Sequence, residues 1–148
     1  MRIYVDADGC PVKTEVVRVA GRHGVETTFV SNSPLRIPKA EGISLVVVPG
    51  AFDAADDWIA QRTGPGDVVI TADIPLAARC VKSGAVVLDH KGGEWNDDNV
   101  GAALATRELS SHLRAMGGIT GGPSPFAPKD RSRFLHRLDE VLRKKGGR

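Results

Sequence analysis

The chain of 148 residues is 41% hydrophobic and 26% charged, which is typical of a globular protein with its own core. No apolar run approaches the roughly 20 residues that cross a membrane, no signal peptide begins the sequence, and two cysteines fit the reduced cytosol better than a disulfide scaffold. We therefore expect one cytoplasmic domain over residues 1–148, without membrane contact.

The formal net charge of +2 is unevenly divided along the chain. Residues 1–126 hold 12 basic and 15 acidic residues, a net −3, whereas residues 127–148 hold 8 and 3, a net +5. A basic end beside an acidic body suits a phosphate-bearing polymer as partner. The alternative is a solvated helix with a basic terminus.

Strand and helix signals alternate along the first part of the chain. Short runs rich in β-branched residues predict strands at residues 3–5, 27–30, 43–48, 67–71 and 85–88. Apolar residues at helical spacing predict helices at residues 11–23, about 53–62 and 74–83. The third strand is apolar on both sides, so we expect it to be central in a sheet or covered on both faces.

The second part of the chain is predicted to be mostly helical. Residues 91–95 are typical of a loop, and Asn96 can cap a helix of about residues 97–116 with an apolar stripe of Leu109, Leu113 and Met116. Residues 117–128 hold four glycines and three prolines and predict an irregular loop. A basic helix of about residues 130–145 follows and is expected to pack on the rest through its apolar stripe.

The alternation of strands and helices predicts the fold class. It favours a single-domain α/β protein with a mostly parallel five-stranded sheet, covered by helices in a Rossmann-like three-layer arrangement. Right-handed crossovers then place the carboxyl ends of the parallel strands at one edge of the sheet, where open α/β sheets bind their ligands.

Polar side chains follow several of these strands. Asp6 and Asp8 are two residues apart and project to the same side if the chain stays extended between them. Asp53, Asp56 and Asp57 are spaced i, i+3, i+4 and can share one face of a helical turn. The residues expected at this edge are Asp6, Asp8, Asn32, Asp53, Asp56, Asp57, Asp73 and Asp89.

Each of these acids also has a structural interpretation. Asp53 and Asp73 can be helix N-caps, Asp56 or Asp57 can interact with a helix dipole, and Asp89 is interpreted as a solvated turn residue. For the group as a whole, the repulsion between carboxylates exceeds the stabilisation that helix N-termini supply. Two carboxylates about 4 Å apart repel by roughly 4 kcal/mol at an effective dielectric near 20, whereas a helix N-terminus offsets only about 0.3–1 kcal/mol per charge.

Converging carboxylates therefore require protons, a basic partner or a divalent cation. Oxygen ligands without His or Cys favour Mg²⁺ or Mn²⁺ over zinc. We predict a Mg²⁺ or Mn²⁺ site that positions a phosphodiester and activates water.

Six blocks of sequence carry a family resemblance. They are VDADGCP at residues 5–11, Asn32 with LRIP at 35–38, GAFDAAD at 50–56, DVVITADIPLA at 67–77, GGP at 121–123, and Asp130-Arg131. In this order they resemble the YaiI/YqxD family of bacterial proteins over nearly the whole chain. That family is grouped with PIN-like domains, so the resemblance implies a metal-dependent nuclease fold. The candidate ligands that it implies are Asp6, Asp8, Asp53, Asp56 and Asp73.

The sequence departs from the family pattern in small ways. Gly9 stands where relatives usually have alanine. Asp57 and Asp89 lie outside the family blocks, which weakens both as candidate ligands.

Several basic and polar residues are candidates for substrate binding. Asn32, Arg36 and Arg131 are the candidates we favour, and Arg131 falls inside a family block. Lys39, Arg133 and the backbone N–H groups of residues 117–122 could also contact phosphates, with solvated surface as the alternative for each side chain. Since aromatic residues make up only 5% of the chain, backbone contacts rather than base stacking should dominate the binding of RNA.

The two cysteines are not expected to react. Cys10 precedes a helix, where a thiolate would be stabilised, but no base partner is identifiable in the sequence. We interpret Cys10 as a small buried residue and Cys80 as a packing residue on the inner side of a helix.

Three functions fit these observations. The leading one is a PIN-like Mg²⁺- or Mn²⁺-dependent phosphodiesterase acting on RNA, with Asp6, Asp8, Asp56 and Asp73 as catalytic residues. The second is a haloacid-dehalogenase-like phosphohydrolase with Asp6 as nucleophile. Ser31 or Thr71 could serve such an enzyme, but no well-placed lysine follows. The third is a non-catalytic RNA- or protein-binding module with a degenerate site. The oligomeric state stays open, and a dimer is among the alternatives.

Overall fold

Strands and helices alternate in the order that the sequence predicts. The computed structural model describes residues 1–50, 53–115 and 125–146, with the backbone alone for 107–115 and 145–146. The strands are β1 (Ile3–Asp6), β2 (Thr27–Ser31), β3 (Ile43–Val47), β4 (Val68–Ile70), β5 (Val86–Leu88) and β6 (Glu94–Trp95). The helices are α1 (Lys13–His23), α2 (Ala54–Arg62), α3 (Ile74–Lys82), α4 (Asp97–Ala115) and α5 (Pro128–Gly146).

The strands form one sheet in the order β3-β2-β1-β4-β5-β6 within the described residues. Strands β1 to β5 are parallel, and β6 is antiparallel to β5. The chain first winds outward from β1 through β2 to β3 and then returns to β4 on the other side of β1. The strand order therefore reverses at the β1–β4 pair, and the carboxyl ends of these two strands are where such a sheet binds its ligands.

Helices cover both faces of the sheet, which confirms the predicted α/β class. Helices α1 and α5 pack on one face, where Phe29 of β2 and Phe134 and Leu138 of α5 are fully buried. Helices α2 and α3 cover the other face with Ile59 and Leu76, and α4 packs beside α3. Within the described residues, no helix is long and apolar enough to cross a membrane.

The third strand corrects one prediction. β3 lies at an edge of the sheet rather than at its centre. Ile43, Leu45 and Val46 are half-buried, whereas Ser44 and Val47 are exposed. Leu45 packs against the core on the α1 face, and Val48, directly after the strand, packs against the core on the α2 face. An apolar run on both faces thus predicted part of the coverage of the strand but not its position.

Smaller differences concern boundaries. Residues 94–95 form the short strand β6, which was expected to be loop, because Trp95 pairs with Val87 and Glu94 with Leu88. Helix α1 begins at Lys13, so Pro11 precedes the helix instead of lying in its first turn. The predicted apolar stripe of α4 and the glycine-rich segment up to residue 124 lie outside the described residues or side chains.

The cap predicted for α4 is confirmed. The Oδ1 of Asn96 accepts a hydrogen bond from the Asn99 N–H at 2.9 Å, and the Oδ1 of Asn99 accepts one from the Asn96 N–H at 2.7 Å. Two N–H groups at the start of the helix are thereby satisfied reciprocally, as in a capping box.

Truncation of α5 inside the core should destabilise the protein strongly. Phe134 has no exposed surface, so Phe134→Ala should lower the free energy of unfolding by about 3–5 kcal/mol through lost apolar burial and a residual cavity. Urea unfolding followed by circular dichroism measures the change. Ser132→Ala, an exposed position on the same helix, is the control and should change stability by less than about 0.5 kcal/mol. Equal effects of the two substitutions would contradict the packing described for α5.

Candidate functional site

Asp6 and Thr71 join the ends of two adjacent central strands. Asp6 is the last residue of β1, and Thr71 directly follows β4. The Thr71 Oγ1 donates a hydrogen bond to Asp6 Oδ2 at 3.0 Å and accepts one from the Asp73 N–H at 3.0 Å. Thr71 is fully buried, so its hydroxyl holds the Asp6 carboxylate and the Asp73 backbone in fixed relation.

The Asp6 carboxyl is electrostatically strained by its surroundings. Burial is the largest of the causes that raise the pKa of Asp6 to about 6. The Thr71 hydrogen bond opposes this rise, and the negative charges of Asp73 and Asp8 contribute to it. Both desolvation and like charge disfavour an ionised carboxylate. Asp6 therefore faces acids, as the strand-end pattern predicts.

A hydrogen bond joins the carboxyl groups of Asp56 and Asp73. Burial is the largest cause that raises the pKa of Asp56 to about 7, followed by its hydrogen bond to the Asp73 side chain. The charges of Asp73, Asp6 and Asp53 add to this effect. A hydrogen bond between two carboxyl groups requires one of them to be protonated.

The structure thus gathers residues from three separate parts of the chain. Asp6 comes from β1, Asp73 from the start of α3, and Asp56 from the first turn of α2. Asp8 and Asp53 are exposed and lie close enough to raise the pKa of Asp6 and of Asp56, respectively. We call the five residues Asp6, Asp8, Asp53, Asp56 and Asp73 the acidic cluster.

The capping interpretation does not explain Asp53 and Asp73. Both occupy N-cap positions, of α2 and α3 respectively, yet neither side chain makes a capping hydrogen bond. For α2 the need is met from outside the helix, because Asn32 Oδ1 accepts the Ala55 N–H at 3.1 Å. The two carboxylates are therefore available for the acidic cluster.

Asn32 connects three segments around the cluster. Its backbone N–H donates to Asp8 Oδ2 at 2.9 Å, while its side chain holds the start of α2. Asn32 follows β2 directly, so the loop after β1, the end of β2 and the acidic turn of α2 are fixed to one another. These contacts give Asn32 a positioning role, and its predicted contact with substrate stays a prediction.

Arg36 and Arg131 occupy different surroundings. Arg36 lines a groove beside β3, and no hydrogen bond or ion pair within the described residues joins it to the acidic cluster. The Arg131 Nη1 donates to the Pro11 carbonyl and to Glu15 Oε1, each at 2.9 Å, and its guanidinium lies 5.1 Å from the Phe126 ring centre. Arg131 thus fastens α5 to the start of α1, and its predicted phosphate contact is untested.

Other candidates have structural explanations. The Asp57 Oδ1 accepts a hydrogen bond from Arg79 at 2.7 Å, so its carboxylate is paired with a basic side chain of α3. The Asp89 Oδ1 accepts the N–H groups of Lys91 and Gly93, each at 2.8 Å, which confirms its interpretation as a turn residue. Cys10 and Cys80 are buried, as expected, and burial raises the pKa of both thiols.

Thr71 is the site residue that sequence reasoning placed in the wrong context. It was considered only for the phosphohydrolase alternative, although it lies two residues before Asp73 at the end of a strand. A hydroxyl at a strand end beside an acid is the signal that could have revealed its role. Its contact with Asp6 depends on β4 lying next to β1, which the sequence does not specify.

Stability in metal-free buffer should depend on the acidic cluster. The folded-state pKa values of Asp6 and Asp56, about 6 and about 7, exceed their ordinary value of 3.8, so the folded protein binds more protons than the unfolded chain between these limits. The stability that these two protonated carboxyl groups contribute is therefore fully present below about pH 4. It is lost as the pH rises through their pKa values in the folded protein. For the largely buried Asp6 the loss is on the order of 2 kcal/mol, while the more exposed Asp56 contributes less than its pKa alone implies.

The variant Asp56→Asn separates the contribution of Asp56 to this pH dependence of stability from that of Asp6. The amide can still donate a hydrogen bond to Asp73 but carries no charge at any pH. The variant should therefore gain stability relative to wild type as the pH rises from about 5 to about 8, as measured by urea unfolding in EDTA. The matched control is Asp57→Asn, whose free energy of unfolding should differ from that of wild type by a constant amount over the same interval. A constant difference for Asp56→Asn as well would contradict the raised pKa of Asp56.

The whole chain matches a known family. A family model described as "Uncharacterized BCR, YaiI/YqxD family" matches residues 4–144. A UPF0178 protein of Azorhizobium caulinodans is 56% identical over 140 residues, which cover 95% of this chain and 88% of that protein. A UPF0178 protein of Rhizobium etli is 54% identical over 142 residues, covering 96% and 92%. No solved structure matches the chain. With this coverage and identity, the chain belongs to the YaiI/YqxD family.

Proposed function

We propose that this protein is a Mg²⁺- or Mn²⁺-dependent phosphodiesterase of the PIN-like nuclease type that acts on RNA. The observation that carries the proposal is the convergence of Asp6, Asp56 and Asp73, from three elements, at the carboxyl edge of the sheet. They meet where the strand order reverses, the ligand-binding position of this architecture. Such a cluster requires a positive charge or a proton, and the pKa of Asp56 is accordingly raised to about 7.

The chemistry of the cluster fits a hard dication. Its side chains offer only carboxylate oxygens, the donors that Mg²⁺ and Mn²⁺ prefer. Within the described residues no three His, Cys, Asp or Glu side chains already form a ligand set. The carboxyl groups of the cluster would therefore move closer together around a bound ion. Asp6, Asp56 and Asp73 would hold the ion, with Asp8 and Asp53 at its rim.

The roles of the protein groups follow from their contacts. A bound dication would supply charge for the phosphodiester and lower the pKa of a water molecule. The Thr71 hydroxyl holds Asp6 Oδ2 and so fixes the orientation of that carboxylate. Asn32 positions Asp8 and the start of α2, which carries Asp53 and Asp56. An aspartate of the acidic cluster that does not ligate the ion would accept the proton of the attacking water.

The phosphohydrolase alternative fits less well. It uses a lysine beside the nucleophilic aspartate, whereas the charged neighbours that shift the pKa of Asp6 are the acids Asp73 and Asp8. The nearby Lys13 places its Nζ 2.9 Å from the Cys10 carbonyl. The hydrogen bond between Thr71 and Asp6 is the observation in favour of a phosphohydrolase. The cleavage experiment below therefore also measures phosphate release and phosphorylation of Asp6.

Metal binding should be visible without any substrate. Millimolar Mn²⁺ should raise the melting temperature of the wild-type protein, because an ion that binds only the folded state stabilises it. Asp6→Asn should lose most of this shift. Asp57→Asn, with its side chain paired to Arg79, is the matched control and should keep it. A wild-type melting temperature that does not respond to Mn²⁺ would favour the non-catalytic binding module.

Cleavage is the second test. With Mn²⁺, wild-type protein should hydrolyse single-stranded RNA, and Asp6→Asn should reduce the rate by at least about 100-fold while keeping its fold by circular dichroism. Asp57→Asn should cleave at a rate near wild type. Release of phosphate from a phosphomonoester, with trapping of phosphorylated Asp6, would instead identify a phosphohydrolase. Absence of any cleavage by metal-saturated wild type would overturn the proposal.

A further inference from the structure

A basic side chain lies beside the acidic cluster, at the same carboxyl edge of the sheet. Lys13 is the first residue of α1, and its Nζ donates a hydrogen bond to the Cys10 carbonyl at 2.9 Å, in the loop that follows β1. The charges of Lys13 and Asp6 both act on the pKa of the Cys10 thiol, in opposite directions. Lys13 therefore lies near the end of β1 that carries Asp6.

The start of α5 and the loop after β5 reach the same place. The Arg131 Nη1 donates to the Pro11 carbonyl at 2.9 Å, which holds the first turns of α5 against the segment before α1. Gly92 packs directly on α5, because a β-carbon at this position would lie 2.9 Å from the Arg133 carbonyl oxygen. Its φ of +88° also favours glycine. The segments that meet here are residues 10–13, 89–93 and 129–133.

His90 brings a polar atom without a partner to this place. Its Nε2 is buried and has no hydrogen-bond partner among the residues that the structure describes. Burial is the main cause that lowers the pKa of His90; the charge of Asp89 opposes this effect and the charge of Lys13 contributes to it. The ring is therefore near Lys13 and mainly neutral at pH 7. Buried polar atoms are normally paired, and a neutral imidazole with its proton on Nε2 can donate to an anion.

The acids around these segments are already engaged. The Asp89 Oδ1 accepts the N–H groups of two residues in its own loop. The Asp130 Oδ2 accepts the Ala127 N–H at 2.9 Å, and Glu15 Oε1 accepts a hydrogen bond from Arg131. These carboxylates fix the loop and the start of α5, so their charges are used within the fold.

The basic residues, in contrast, keep donors for a ligand. An ammonium group has three N–H donors, of which Lys13 uses one on a backbone carbonyl. Lys129 and Arg133 are exposed and, four residues apart, share one face of α5. Arg133 comes no closer than 3.8 Å to Asp130, and no carboxylate of the described residues forms an ion pair with Lys13 or Lys129. We call Lys13, His90, Lys129 and Arg133 the basic group.

We propose that the basic group binds a phosphate of the RNA strand next to the bond that is cleaved. Lys13, His90 and Arg133 contact this phosphate, and Lys129 lies at the rim. The inference rests on the proposed function, because it takes the ligand to be the substrate of the acidic cluster. With an ion holding the scissile phosphodiester and the basic group holding its neighbour, the strand crosses the carboxyl edge of the sheet in a fixed register. Contacts to phosphates position a nucleic acid in this way without reading its sequence.

RNA binding without cleavage tests the basic group. Fluorescence anisotropy of a labelled single-stranded RNA in EDTA gives Kd over a range of salt concentrations. For single strands, each phosphate contact contributes about −0.7 to the slope of log K against log salt. Lys13→Gln and Arg133→Gln should each make the slope less steep by about 0.7, which corresponds to about a fivefold rise in Kd at about 0.1 M salt.

Two further variants make this result specific. Lys82→Gln removes the same charge at an exposed position in the last turn of α3 and should leave both Kd and the slope unchanged. His90→Leu should raise Kd at every salt concentration and leave the slope unchanged, because the ring that it replaces is mainly neutral. A wild type that binds no RNA, or slopes for Lys13→Gln and Arg133→Gln equal to that of wild type, would overturn the proposal. An unchanged Kd for His90→Leu would contradict the contact of His90 with the phosphate.

The response to metal separates this inference from the proposed function. Arg133→Gln should keep the rise in melting temperature that Mn²⁺ produces, whereas Asp6→Asn should lose it. Mn²⁺-dependent cleavage by wild type together with unchanged salt slopes in the variants would support the nuclease and overturn the basic group. Reduced slopes in the variants of a wild type that neither binds Mn²⁺ nor cleaves RNA would overturn the nuclease and leave the basic group as an RNA-binding site.

Discussion

Repulsion among half-buried carboxylates is the constraint on which the candidate site depends. Asp6, Asp56 and Asp73 meet in surroundings that raise the pKa of Asp6 and Asp56 towards neutrality. Two hydrogen bonds within the protein reduce this repulsion, one from the Thr71 hydroxyl to Asp6 and one between the carboxyl groups of Asp56 and Asp73. Neither supplies a positive charge. The arrangement is therefore unfavourable for folding, and the rest of the structure must hold it in place.

The fold provides that support through two cores and a few long-range contacts. β1 is buried between β2 and β4, with Ile3 and Val5 packed on one face and Tyr4 on the other. Helix α5 is fastened at its start by the contacts of Arg131 and further along by Asp139, which bonds to Arg22 and His23. Arg131 holds the Pro11 carbonyl, close in sequence to Asp8. A residue distant from the acidic cluster thereby fixes the loop that carries part of it.

Much of the fold was predictable because each signal is local. Turn residues and apolar periodicity gave the five helices and five of the strands within a few residues, and Asn96 was recognised as a cap. Strand order was not predictable, because it depends on how separate units pack. The edge position of β3 shows this clearly, since an edge strand with both faces half-covered has the same apolar pattern as a central one.

The candidate site was predictable in its acids but not in their partners. Asp6, Asp56 and Asp73 were identified because each follows or opens a regular element, and the parallel sheet brings such positions together. Asp57 was weakened as a candidate by its position outside the family blocks, but its pairing with Arg79 on a different helix follows from no spacing rule. Likewise, Thr71 becomes a site residue only once β4 is known to lie beside β1.

The contacts at the starts of α2 and α3 oppose the mutual repulsion of the acidic cluster. A carboxylate cluster without a bound cation tends to separate, because its like charges repel. Asn32 holds the start of α2 through the Ala55 N–H, and Thr71 holds the start of α3 through the Asp73 N–H. Asn32 directly follows β2 and Thr71 directly follows β4. The two helix starts that carry Asp56 and Asp73 are therefore each held by a polar side chain at the end of a buried strand, which keeps the two carboxyl groups near each other.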